Sequence, residues 1–171
     1  IAISIGHFNH LDTMPSGMAR CVNIDVLNNV IRRIGAELRS SPAIMMYYVN
    51  TVRVMHNDIA DIPYSGIDLG WGWGRVVNGC ANNIIAYNKI ADAVNPTHDG
   101  AHIYILGPIK GTYINNNWCI NSNDMRGGIY PDEGAAYLNI FQNVIQEVDN
   151  WLFARPNVNL MKINVFNNYT D

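Results

Sequence analysis

The stretch Leu138-Asn139-Ile140-Phe141-Gln142-Asn143-Val144-Ile145 carries the pattern that decides the fold: apolar residues at alternate positions, an asparagine three residues later, and a further apolar residue. The pattern recurs around five other asparagines, although some of these copies match it less well: Asn29, Asn57, Asn88, Asn117 and Asn168. Successive asparagines are separated by 25 to 31 residues. A repeat with fixed core segments and loops of variable length is typical of a solenoid, because surface loops tolerate insertions.

The residues around each asparagine are β-branched or alternate in polarity, and Gly, Pro, Asn and Asp interrupt them every few residues. This composition predicts short strands joined by tight turns. Asparagine tolerates left-handed backbone, and its amide both donates and accepts, so stacked copies predict a hydrogen-bond ladder from coil to coil. We therefore predict an all-β chain, a right-handed parallel β-helix built as a single-stranded solenoid of about six coils.

A second strand in each coil aligns less firmly. Its residues predicted to stack inward are Ile44, Ile67, Ile103, Ile129 and Leu152. Period-two alternation then turns their neighbours to the outer face: Met45, Asp68, Tyr104, Tyr130 and Phe153. We expect His102 and Asp132 to share that face, which would make it unusually rich in aromatic and ionisable groups.

Composition excludes several classes of partner. The net charge is −3 and the basic residues are scattered, so we expect no nucleic acid and no anionic membrane as partner. No apolar stretch is long enough to span a bilayer. The three cysteines have no metal-ligand spacing and are expected to be buried small hydrophobes, and we expect neither a metal nor a cofactor.

The chain begins in the middle of an alternating pattern and shows no internal linker. We expect residues 1–171 to form one β-helix domain from a longer protein. Neither end resembles a polar capping helix, so we expect flanking domains or self-association at the uncapped ends.

Three stretches depart from the repeat in consecutive coils: Ile62–Gly74, His98–Gly107 and Gly127–Gly134. The first contains Trp71 and Trp73 separated by a single glycine, which suits open rings that stack on sugar faces, although both rings could instead cover an end of the core. Coils stacked about 4.8 Å apart would bring all three stretches to one cleft.

Carboxylates in these stretches are the candidates for chemistry. Glycoside hydrolysis uses one protonated and one ionised carboxyl group, and Asp99, Asp132 and Glu133 are the candidate catalytic residues. An Asp in a turn is more often a backbone hydrogen-bond acceptor, which is the alternative for each of them. The candidate substrate-binding residues are Asp68, Trp71, Trp73, His98, His102, Tyr104, Tyr130 and Arg155.

The same stretches resemble the right-handed parallel β-helix proteins of glycoside hydrolase family 141 and their uncharacterised relatives. The resemblance covers residues 50–145 and rests on three motifs in order, at His56 to Trp73, Asp99 to Gly107 and Gly128 to Gly134. It implies an enzyme exported by bacteria, secreted or periplasmic, that acts on plant cell-wall glycans with fucosidase or xylanase activity. It also implies Asp99 and Asp132 as the catalytic pair, with Glu133 as first substitute.

The chain departs from the family pattern at Ala101-His102 and at Asp68, where we expect the changes to crowd and charge the outer face. Two other functions stay open. A polysaccharide lyase or epimerase would use His102, Tyr104 or Arg155, and a non-catalytic carbohydrate-binding solenoid would use the aromatic residues alone. In each case the expected partner is an oligosaccharide or polysaccharide of plant or microbial type.

Overall fold

The computed structural model describes residues 1–6, 13–154 and 162–171. Their elements, in chain order, are β1 (Ile3–Gly6), a 3-10 helix (Gly17–Ala19), β2 (Val22–Leu27), β3 (Val30–Arg32), β4 (Ile44–Tyr47), β5 (Asn50–Met55), β6 (Asp58–Ile62), β7 (Ile67–Leu69), β8 (Ile84–Ala86), β9 (Lys89–Ala93), β10 (Ile103–Ile105), β11 (Pro108–Asn115), β12 (Trp118–Ser122), β13 (Ile129–Pro131), β14 (Ala136–Phe141), β15 (Val144–Gln146), β16 (Asn164–Phe166) and β17 (Tyr169–Thr170). In this described part, no helix is long and apolar enough to cross a membrane.

The strands form three parallel sheets, one on each side of a solenoid. We call them sheet A (β1-β4-β7-β10-β13), sheet B (β2-β5-β8-β11-β14-β16) and sheet C (β3-β6-β9-β12-β15-β17). The chain visits A, B and C in turn, so each circuit places one strand on each sheet. The predicted parallel β-helix is confirmed, with about five full turns rather than six, because the last circuit has only an isolated bridge from Leu152 to Ile129 before β16 and β17.

The core consists of columns of aliphatic side chains that point into the solenoid. In sheet A, Ile44, Ile67, Ile103 and Ile129 are paired in register and have no exposed surface, which confirms the predicted inward stack. Leu152 packs partly buried against the end of this core. Each fully buried isoleucine contributes roughly 2 to 3 kcal/mol of hydrophobic stabilisation.

The cysteines behave mostly as expected from the sequence. Cys119 replaces an isoleucine in the inward column of sheet C, between Ile90 and Ile145, and it is fully buried. Cys80 is also buried, whereas Cys21 is partly exposed, and none of the three forms a disulfide.

The predicted asparagine ladder runs along the corner between sheets B and C. The side-chain amide of Asn29 donates to the Oδ1 atom of Asn57 at 2.8 Å, and the corresponding bonds continue to Asn168 at 2.9 to 3.0 Å. The same Oδ1 atoms accept the backbone N–H of the preceding asparagine at 3.0 to 3.1 Å. Buried polar groups of the corner are thereby paired in every turn.

The left-handed backbone at this corner belongs to the residue before each asparagine, and this differs from our expectation. Their φ angles lie between 54° and 57°, and the residues are Asn28, His56, Tyr87, Asn116, Gln142 and Asn167. A left-handed conformation costs a non-glycine residue roughly 1 to 2 kcal/mol. The side-chain amides offset this strain by bonding two neighbouring turns at once.

Candidate functional site

A cleft of about 630 Å³ lies on the outer face of sheet A. Its floor includes Met45, Asp68 and Tyr104, which are in register on β4, β7 and β10. The predicted outward alternation is therefore confirmed for these three positions. All three motif stretches contribute to the cleft, since Trp71, Asp99 and Asp132 line it as well.

Asp68 is a carboxyl group buried in the floor of the cleft. Its residue surface is only 5% exposed, the Ser65 hydroxyl donates a hydrogen bond to it, and its Oδ1 atom has no partner among the described residues. Burial raises the pKa of Asp68 to about 7. Asp68 therefore holds a proton at mildly acidic pH and can donate it to a bound molecule.

Asp132 is the second buried carboxyl group of the cleft, with 7% of its surface exposed. It follows β13 directly, where its backbone N–H donates to the Ile105 carbonyl at 2.8 Å. The Tyr104 hydroxyl donates to its Oδ2 atom at 2.8 Å, while Oδ1 lacks a hydrogen-bond partner within the described ranges. One oxygen is thus held in place and the other is available to a ligand.

Three tyrosines surround these carboxyl groups, and only Tyr104 was singled out from the sequence. Burial, followed by the negative charge of Asp132, raises the pKa of Tyr104, so that it stays a hydrogen-bond donor. Burial and then Asp68 likewise raise the pKa of Tyr47 and of Tyr64. Tyr47 lies two residues beyond Met45, so period-two alternation continued by one step would have placed it in the cleft.

An aromatic wall closes one side of the cleft. The Tyr47 and Trp71 ring centroids are 4.9 Å apart, and Trp71 makes an edge contact with Trp73 at the same distance. Trp73 is 61% exposed. The intervening Gly72 has a φ of 106°, a conformation that few other residues adopt, so this glycine sets the path of the tryptophan loop.

Asp99 and His98 lie at the rim of the cleft. The Asp99 side chain is 65% exposed and forms an ion pair with the Arg126 guanidinium at 3.2 Å. The His98 side chain is 81% exposed, with Nδ1 at 3.2 Å from the Asp124 carboxylate. The structure thus brings Asp99 to the same cleft as Asp132 but in a far more polar environment.

Two candidate substrate-binding residues are buried instead. His102 has no exposed surface; its Nδ1 atom lies 2.6 Å from the Gly127 carbonyl oxygen and its Nε2 atom 3.1 Å from that of Ile120. Our expectation that His102 crowds and charges the outer face is wrong, because its ring is fully buried in the interior, where burial lowers its pKa. Tyr130 is on the outer face but fully covered, between the Tyr104 and Phe153 rings at 5.1 and 5.2 Å.

The remaining candidates are peripheral or lie outside the described residues. Glu133 is partly exposed just beyond Asp132 and is not among the residues that line the cleft. Arg155 lies outside the described residues. Within residues 1–6, 13–154 and 162–171, no three His, Cys, Asp or Glu side chains cluster in a way that could hold a metal ion.

The comparisons with known proteins show a shared fold. No family model matches the sequence, and no curated protein matches it. A solved structure named "Glycoside hydrolase" is similar over 98% of this chain, with a TM-score of 0.76 and 25% sequence identity. The β-solenoid is thus shared with a protein of that name. The match covers 29% of that protein's own chain.

Proposed function

We propose that the protein is a glycoside hydrolase that cleaves a polysaccharide in the cleft on sheet A. The observation that carries this proposal is the pair of buried carboxyl groups, Asp68 and Asp132, each with one oxygen that has no partner in the described structure. Buried polar atoms are rarely left unpaired, and a pair of them in one cleft favours a site that a ligand completes.

The two carboxyl groups have environments that suit different roles. Asp68 is the proton donor to the leaving oxygen, because burial raises its pKa to about 7. Asp132 is the second carboxyl group, since the Tyr104 hydroxyl donates to its Oδ2 atom at 2.8 Å and its Oδ1 atom has no hydrogen-bond partner among the described residues. Hydrolysis of a glycosidic bond requires a proton donor and a second carboxyl group that acts as base or nucleophile.

The walls of the cleft suit a sugar. Trp73 offers a largely exposed ring and Trp71 a partly exposed one, at the edge of the site. Aromatic rings of this kind stack on the apolar faces of sugars. The similarity to a structure named as a glycoside hydrolase also supports a carbohydrate ligand.

The alternative functions receive less support. A lyase needs a base, but His102 is buried away from the cleft and Tyr104 has a raised pKa while donating to Asp132. The non-catalytic binding protein remains the alternative that an activity assay decides. The candidates Asp99 and Glu133 stay predictions that the same assay tests.

The test is reducing-sugar release from a panel of plant and microbial polysaccharides by the wild type and by Asp68→Asn, Asp132→Asn, Asp99→Asn and Glu133→Gln. We expect Asp68→Asn and Asp132→Asn each to lower kcat by about 10² to 10⁴-fold. Wild-type activity should fall as the pH rises above about 7, where Asp68 loses its proton. Asp25→Asn is the matched control, because Asp25 lies on sheet B and pairs with Arg53 on the surface.

Full activity of Asp68→Asn together with loss of activity in Asp99→Asn would replace Asp68 by Asp99 as the acid. Saturable glycan binding without turnover on any substrate would mean that the binding-protein alternative is correct. Unsaturated products that absorb in the ultraviolet would indicate a lyase.

A further inference from the structure

A second cavity lies at the bend between sheets A and B, and it is larger than the cleft, at about 810 Å³. Its floor follows the solenoid axis, because Asn50, Ala81 and Lys110 are bridged to one another in consecutive turns and Tyr137 lies in the next. Among the described residues it shares no lining residue with the cleft on sheet A. It is therefore a separate site, which we call the basic groove.

One wall of the basic groove is built from residues 13–20 and 77–81, and contacts hold these two segments together. The Gly79 N–H donates to the Thr13 carbonyl at 2.7 Å, and a Cβ atom on Gly79 would lie only 3.2 Å from Pro15. The Asn78 side chain accepts the Cys80 N–H at 2.8 Å. These contacts fix the two segments of the wall relative to each other.

The charge of the groove is opposite to that of the chain. Arg20, Lys110 and Lys162 line it, and none of the described residues that line it is acidic, although the chain carries a net charge of −3. None of these three cations forms an ion pair within the described residues. Lys162 is oriented by the Tyr137 ring, whose centroid lies 5.6 Å from its Nζ atom.

We propose that the basic groove binds an anionic sugar unit, such as a uronate, of an acidic polysaccharide. Unpaired ammonium and guanidinium groups recognise carboxylate or sulfate, and Tyr137 with the exposed Val77 supplies apolar surface for the sugar ring. Its volume is in the range of small-molecule sites. The inference rests on the proposed function in one respect, that the ligand is a carbohydrate. It further specifies that the substrate is an acidic polysaccharide.

The groove is tested by calorimetric titration of the Asp68→Asn protein, which prevents turnover, with a galacturonate tetramer, a neutral xylose tetramer and sodium sulfate. We expect the acidic tetramer to bind more tightly than either other probe, with an affinity that falls as ionic strength rises. The double variant Lys110→Gln/Lys162→Gln in the same background should weaken this binding by about tenfold or more, since two charge-assisted contacts are lost.

Lys89→Gln is the control for loss of a lysine charge outside the groove, one charge against two, because Lys89 is exposed and packs over Trp118 on sheet C. Its affinity for the acidic tetramer should equal that of the parent. The inference is overturned if the double variant binds the acidic tetramer unchanged, if the neutral tetramer binds equally well, or if sulfate alone binds as tightly as the acidic tetramer.

The two proposals fail separately. Hydrolysis of neutral glycans without binding of the acidic tetramer would contradict the proposed role of the groove and support the proposed hydrolase. Binding that depends on Lys110 and Lys162, with no turnover of any glycan by the wild type, would contradict the proposed hydrolase and support the proposed role of the groove.

Discussion

The corner between sheets B and C and the outer face of sheet A are built from the same coils but satisfy their polar groups in opposite ways. At the corner, every turn repeats one asparagine with the same hydrogen bonds at 2.8 to 3.1 Å. On sheet A, equivalent positions in successive turns carry Met45, Asp68, Tyr104 and Tyr130, and Asp68 retains an unpartnered oxygen among the described residues.

The difference separates stability from function within one solenoid. Where the repeat is kept, a side chain satisfies its own and its neighbours' backbone groups and stabilises the fold. Where the repeat is broken, burial of ionisable groups works against stability and creates reactive groups. Substitutions at the two regions should therefore differ in the sign as well as the size of their effects.

The largest effect is expected at the middle of the ladder. Asn117→Ala removes the acceptor of two Asn88 amide groups and the donor to Ile85 and Asn143. Buried groups left without partners cost about 1 to 3 kcal/mol each, so the free energy of unfolding should fall by about 5 kcal/mol in urea denaturation. Asn29→Ala, at the exposed end of the ladder, is the control and should lose about 1 kcal/mol; equal losses would contradict a cooperative ladder.

The next effect has the opposite sign. The pKa of Asp68 is raised to about 7 in the folded protein from about 3.9 in the unfolded chain, so its contribution to stability is fully present below pH 4 and is lost as the pH rises to 7. Asp68→Asn should therefore be more stable than the wild type at pH 8 by about 4 kcal/mol and nearly equal to it at pH 4. Urea unfolding at both pH values measures this, and a difference independent of pH would contradict the buried, protonated Asp68.

A smaller loss of stability is expected on substitution of His102, whose ring is buried in the solenoid although the residue lies in one of the three motif stretches. The neutral ring donates from one of its two nitrogens, so His102→Leu leaves one buried carbonyl group, that of Gly127 or Ile120, without its donor. The free energy of unfolding should therefore fall by about 2 kcal/mol. Once corrected for the folded fraction, kcat and KM should equal those of the wild type. A change in KM with unchanged stability would instead make His102 a substrate-binding residue.

The smallest effect on stability is expected at the cleft wall. Trp73→Ala removes a ring that is 61% exposed, so the free energy of unfolding should change by less than about 0.5 kcal/mol. Its loss should nevertheless raise KM by about threefold to tenfold, because a stacking surface for the sugar disappears. The reverse pattern, lower stability with unchanged KM, would mean that Trp73 only covers the core.

The fold was largely predictable from the sequence because solenoid coils repeat the same contacts. The spacing of Asn29 to Asn168 and the alternation around Ile44, Ile67, Ile103 and Ile129 are local signals, and both agree with the observed registers. The site was predictable only in part. Alternation indicates the face on which Asp68 and Tyr104 lie, but it does not indicate how deeply each is covered.

His102 and Tyr130, whose burial we did not expect, show why the site was predictable only in part. His102 immediately precedes β10, and alternation alone places it on the same face as the outward-facing Tyr104. Its ring instead lies in the interior, where its nitrogens contact the carbonyl groups of Ile120 and Gly127. These two residues lie 18 and 25 positions further along the chain, so local sequence does not predict the contacts. Tyr130 is covered by side chains of neighbouring turns. The raised pKa of Asp68 depends on burial, which sequence spacing does not contain.

The asparagine ladder also has a direction. Each side-chain amide from Asn29 to Asn143 donates to the Oδ1 atom of the next asparagine toward the C-terminus, so all the bonds between asparagines run the same way and the two ends of the column differ chemically. Two copies brought together head to head would oppose like ends of the column, whereas a head-to-tail contact would extend it. A head-to-tail stack of such columns would therefore keep one fixed orientation of its subunits, as a polar filament does.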